Sequence, residues 1–152
     1  MVPQIPSRNT SKYSGQYAGT VDSQRMVEIF TDSYKIALSS KNPETARARF
    51  DLAIEAYYQL FSMKPSSGIL KAIQQSIENL VAVFPAQVTA NEALGLREKA
   101  RKLKTPKKQL DLLYHAREII DRGLIEQPFS SVLQTAAIEL VTEIYQAEAL
   151  NT

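Results

Sequence analysis

The sequence predicts an all-α fold of six helices, a bundle or short superhelix built from two similar three-helix units, preceded by an irregular N-terminal arm. Three observations carry that expectation. From Ser23 onward apolar residues recur every three or four positions. No run alternates with period two between turn signals, so no strand is predicted. A stretch also occurs twice at a separation of 63 residues: ALSSKNPETARARFDLAIEAYYQLFSMKP (Ala37 to Pro65) aligns without a gap on ARKLKTPKKQLDLLYHAREIIDRGLIEQP (Ala100 to Pro128). Six of the 29 positions are identical, namely Ala37/Ala100, Lys41/Lys104, Pro43/Pro106, Ala53/Ala116, Glu55/Glu118 and Pro65/Pro128. Self-similarity of this kind marks a repeated structural unit. It specifies scaffold, so function is sought where the copies differ, and the chief difference is that SSKNPET becomes the basic KLKTPKK.

Each element follows from local signals. Residues 1–22 read as a polar arm, because Pro3, Pro6, Gly15 and Gly19 interrupt a stretch with no apolar periodicity. Its Tyr13 and Tyr17 have no helix to pack within, and read as anchors for a neighbouring hydrophobic site. Helix A spans about Ser23 to Ser40, with Met26, Val27, Phe30, Tyr34 and Ala37 on one side. Helix B opens on Asn42-Pro43-Glu44, a polar cap, a proline where no donor is needed, and an acid at the positive dipole end. Its expected buried stripe is Ala46, Phe50, Ala53, Tyr57 and Leu60, with Tyr58 turned about 100° away, toward a surface or groove.

Helix C carries Ile69, Leu70, Ile73, Ile77, Leu80, Val81 and Phe84 and is expected to stop before Pro85. Helix A′ is expected to start near Thr89, whose spacing to Glu92 has capping-box form, and to be the most exposed helix, being short of large apolar residues. Helix B′ opens on Thr105-Pro106, and Gly123 is expected to end or loosen it before Pro128. Helix C′ starts at Ser130 or Ser131, with Val132, Leu133, Ala137, Leu140, Val141, Ile144 and Tyr145 as its apolar face. Residues 23–152 are read as one domain, with approximate repeats 23–86 and 87–150.

Composition narrows the chemistry. With 152 residues, 44% hydrophobic and 22% charged, the chain suits one soluble globular domain. Cysteine is absent, which removes disulfides, thiol catalysis and thiolate metal sites and suits a reducing cytoplasm. No apolar run reaches the ~18 residues of a membrane span, and the first residues lack the apolar core of a signal peptide. Glycine-rich phosphate loops and nucleophile motifs are missing, so no catalytic residue, metal or cofactor is assigned and no enzyme is expected.

Two clusters deserve weighing. Arg97, Lys99, Arg101, Lys102, Lys104, Lys107 and Lys108 put seven cations against one acid, a local net charge of +6. Such a run tracks phosphates in many nucleic-acid binders. The favoured reading is a solvated face, since cations near a helix C-terminus favour its dipole, although Lys107 and Lys108 lie at the positive end of helix B′. No aromatic is interleaved, which argues against base stacking. His115, the only histidine, stands four residues after Asp111 and three before Glu118, hence on one helix face. That spacing allows a metal or acid-base cluster, and equally a surface histidine among charged neighbours. The second reading is favoured because no second histidine is available from another helix.

The second helix of each copy resembles the second helix of a tetratricopeptide repeat, through Ala53, Tyr57 and Pro65 in one copy and Ala116, Gly123 and Pro128 in the other. Leu60 and Ile120 depart from that pattern, the first-helix signature is missing, and 63 is not the family's period. The resemblance implies an αα-repeat that presents a groove to a peptide. The segment SKNPETARARFDLAIE is also similar to segments of bacterial helical proteins. The function expected from all this is a non-catalytic interaction module or adaptor that binds protein, itself or a partner. The alternative is a nucleic-acid accessory protein using the basic turn 97–108.

Overall fold

The computed structural model describes residues 23–150; the expected arm, with Tyr13 and Tyr17, lies outside the described residues. Within them the chain forms five α-helices and no strand: α1 Ser23–Ser39, α2 Pro43–Ser62, α3 Ser67–Arg101, α4 Pro106–Glu126 and α5 Ser131–Leu150. None of the described helices is long and apolar enough to cross a membrane.

The sixth expected helix does not exist as a separate element. Helices C and A′ are one, the 35-residue α3, with Pro85 in its interior. A proline there removes a donor and crowds the carbonyl four residues back, which is why a stop was expected. The helix continues because Phe84, Ala86, Val88 and Ala90 are all buried, so packing on either side holds the backbone. Pro85 itself is exposed and so is Val81, whose carbonyl, four residues back, loses its helical donor to the ring. Thr89 is consequently not a cap: its Oγ1 donates to the Pro85 carbonyl at 3.0 Å, a mid-helix bond back to the preceding turn.

Two compact units meet in sequence at Phe84 and Pro85. The first holds the described residues to Leu38, then Glu44–Phe84; the second holds the turn Ser39–Pro43 and everything from Pro85. In the first, Met26, Ile29 and Phe30 of α1, Leu52, Ala53, Ala56 and Leu60 of α2, and Ile73, Ile77 and Leu80 of α3 are buried. Phe50 stacks on Phe84 with centroids 4.4 Å apart, and Asn79 donates to the Tyr34 hydroxyl at 2.6 Å. Tyr57, expected in the core, is only half-buried, beside Tyr58 and the exposed Phe61. The buried stripe of α2 runs through alanines, leaving the tyrosines at its edge.

Glu55 adds a cost to this unit. Its Oε2 is buried without a hydrogen-bond partner, and desolvation, reinforced by Asp51, raises its carboxyl above the usual range. A raised carboxyl destabilises the fold at pH values above the unfolded carboxylate range, where the unfolded chain ionises more readily. Glu55→Gln is therefore expected to stabilise the protein at neutral pH, and urea midpoints should show the gain shrinking as pH falls below that range.

In the second unit Ala90, Ala93 and Ala100 of α3, Leu113, Ala116 and Ile120 of α4, and Leu133, Leu140 and Ile144 of α5 form one core. The segment expected to be most exposed is thus well buried. Alanines let the backbones approach closely, which replaces large apolar side chains as the means of packing. Gly123 does not end its helix, since α4 continues to Glu126. It stands where three helices meet: a Cβ there would lie 3.0 Å from Thr89 Cγ2 and 3.2 Å from Leu133 Cδ1. Thr105 has extended backbone before Pro106 but makes no side-chain cap bond; separately, the Gln109 side chain donates to the Leu103 carbonyl and ties the preceding turn to α4. Ser130 Oγ accepts from Leu133 N–H at 3.2 Å and caps α5.

Candidate functional site

Helix geometry divides the basic stretch. Arg97 and Arg101, one turn apart, face α5: Arg97 Nη1 donates to Glu139 Oε2 at 2.9 Å, and Arg101 grips Glu143 through two bonds of 3.1 and 2.8 Å. The bond to Glu143, and then its charge, hold the Arg101 guanidinium more firmly protonated. Bidentate, charge-assisted pairing on a partly buried carboxylate exceeds an isolated surface pair, so these two arginines tie α3 to α5. Lys99, Lys102, Lys104, Lys107 and Lys108 are exposed and form no ion pair among the described residues.

Lys99 and Lys102 open onto a groove of about 440 Å³, also lined by Lys41, Asn42 and Pro43 of the α1–α2 turn, by Glu92, Gly95, Leu96 and Glu98 of α3, and by His115 of α4. A hollow of about 290 Å³ continues it between α3 and α4, sharing Glu92 and His115 and adding Thr89, Ile119, Arg122, Gly123 and Glu126. Two features fix the turn as a wall. Gly95 allows close approach, since a Cβ there would meet Lys41 Cβ at 3.2 Å. Lys41 Nζ also pairs with Glu98 Oε1 at 2.7 Å. That hydrogen bond outweighs partial desolvation and, with the charges of Lys41, Lys102 and Arg97, holds the Glu98 carboxyl below the usual range. Three lysines and two carboxylates, Glu92 and Glu98, thus line the groove, with Lys41 already paired to Glu98.

His115 is exposed, and Glu118, one of its expected partners, accepts a hydrogen bond from Arg122 instead. Among the described residues no three acidic or histidine side chains converge as a metal site. Tyr58 lies in the first unit, 48% exposed.

A second surface feature is the outer face of α5. Leu133, Ala136, Leu140 and Ile144 are buried, while Ile138, Val141 and Tyr145 are 69%, 42% and 75% exposed. Val132, Val141 and Tyr145 were expected on the packed face. Each is one position from a residue of the buried stripe, hence about 100° round the helix from it. Phe129, before α5, is 91% exposed.

Sequence reasoning found Lys99, Lys102 and His115 but not Lys41, Glu92, Gly95 or Leu96 as members of a shared groove. Lys41 is 57 residues from its partner Glu98, and no local pattern joins them. The alignment of Lys41 with Lys104 was the one available signal. No protein-family model, no curated protein and no solved structure matches the chain.

Proposed function

We propose that this chain is a non-catalytic helical interaction module that docks a protein partner on the outer face of α5. The observation that carries the reading is a helix apolar on both sides: one stripe fills the core, and Ile138, Val141 and Tyr145, at i, i+3 and i+7, remain exposed. That spacing is how a helix presents itself to a hydrophobic groove, and an aromatic beside aliphatic anchors concentrates binding energy. The partial tetratricopeptide likeness supports the same class, and the cysteine-free composition suits a cytoplasmic setting.

The test compares the tagged chain with its Ile138→Asp/Tyr145→Asp variant, both purified from the native host and sized. Both positions are exposed, so the fold should survive. A partner or second copy recovered with the parent and lost with the variant supports the reading. Equal recovery, or a lone monomer in both cases, overturns it.

The five lysines without ion pairs favour a second reading, a nucleic-acid accessory role. It predicts binding to random duplex at low salt that weakens steeply as salt rises and is lost on reversing Lys104, Lys107 and Lys108 to Glu.

A further inference from the structure

We propose that the groove between α3 and α4 binds a phosphorylated small molecule, with Lys99 and Lys102 receiving the phosphate opposite His115. The inference is independent of the docking face on α5.

Position and charge select the ligand. Lys99 and Lys102 line the groove without a direct ion pair among the described residues, Lys102 feeling only the charge of Glu98, whereas Arg97 and Arg101, on the same turns of helix, are committed to α5. Lys41 adds a third cation at the same end, held in place by Glu98. Exposed ammonium groups lining one concavity suit a compact dianion, which they bind through charge-assisted hydrogen bonds. His115 offers a further ring nitrogen from the opposite helix. A volume of about 440 Å³ exceeds what a bare phosphate needs and falls in the range of small-molecule sites.

The rest of the lining describes the remainder of the ligand. Pro43 and Leu96, and beyond His115 Ile119, offer apolar surface for an organic body. Glu92, common to both parts of the groove, accepts hydrogen bonds and calls for a hydroxyl or amine donor. Glu92, Glu98 and Glu126 also interrupt the cations along the groove. A polyphosphate strand laid along it would meet carboxylates at intervals, so the pattern favours one phosphate on a small body over a nucleic acid.

Because His115 is the only histidine, its imidazole NMR signals report on the groove without assignment. The full chain is titrated with three phosphomonoesters, adenosine monophosphate, glycerol phosphate and phosphoserine, with adenosine, glycerol and serine as controls, and with a short DNA duplex. At least one phosphomonoester should shift the His115 signals saturably while its unphosphorylated control does not. Lys99→Glu and Lys102→Glu should each weaken that binding about tenfold or more, as loss of a charge-assisted bond implies. Lys104→Glu/Lys107→Glu, outside the groove, should leave it within about twofold. Signals unmoved by all three esters at millimolar concentration overturn the proposal. So does an equal loss in the Lys104/Lys107 variant, or a duplex that shifts His115 at lower concentration than any ester. All the substituted lysines are exposed, and an unchanged thermal melt establishes that each variant is folded.

Discussion

Gly123→Val is expected to destabilise the protein by about 3 kcal/mol, the upper part of the range for overpacking a close-packed site. The cause is geometric, because even a Cβ at this position would stand 3.0 Å from the Thr89 methyl and 3.2 Å from Leu133 Cδ1. Gly123→Ala separates two effects. Alanine gains about 1 kcal/mol of helix propensity over glycine, which offsets much of the contact penalty. Adding Thr89→Ser deletes the obstructing methyl and keeps the hydroxyl that bonds the Pro85 carbonyl. The double variant should therefore be more stable than Gly123→Ala alone, a coupling readable from urea midpoints in a double-mutant cycle. Additive effects with no coupling would show that the three-helix junction tolerates a side chain, and that Gly123 is not required for packing.

Pro85→Ala is expected to act in the opposite direction. Proline costs about 3 kcal/mol relative to alanine in a helix interior, and removing it also gives the unfolded chain about 1 kcal/mol of freedom. The net expectation is a gain of about 2 kcal/mol, or a rise in Tm of roughly 4–8 °C for a chain of this size. Alanine restores the N–H that the Val81 carbonyl lacks, and nothing buried is deleted because Pro85 is exposed. An unchanged or lowered midpoint would mean that the helix has already relaxed around the ring or that the ring itself packs.

These two positions also show how far the sequence could be read. Periodicity identified helical structure throughout the described residues, because amphipathic spacing is a local property that tertiary packing rarely reverses. Pro43 and Pro106 as first helical residues were legible for the same reason, and so was the start of the last helix at Ser130 or Ser131, where the structure shows Ser130 as the cap. Pro85 and Gly123 were misread together. Both are helix-breaking signals locally, and both are overridden by packing that joins residues distant in sequence, the buried residues flanking one and the methyl groups facing the other. The alanine-rich half of α3 misled for a related reason, since small side chains suggest exposure in a sequence and close helix contact in a fold. At the candidate site the charges were visible and their division was not. Only the placement of α5 shows that Arg97 and Arg101 are engaged, and only the close approach at Gly95 brings Lys41 beside Lys99 and Lys102.

The turn Ser39–Pro43 belongs in space to the second unit although in sequence it lies between α1 and α2, whose residues form the first unit. Its Lys41 forms part of the groove wall, clamped by Glu98 and seated against Gly95. A fragment beginning at Pro85, where the two units divide within the continuous α3, would therefore keep α4, α5 and the second unit's core while losing that wall. The later of the two aligned stretches therefore packs with five residues of the earlier one, and any rearrangement that shuffled them apart would separate the groove from its own edge.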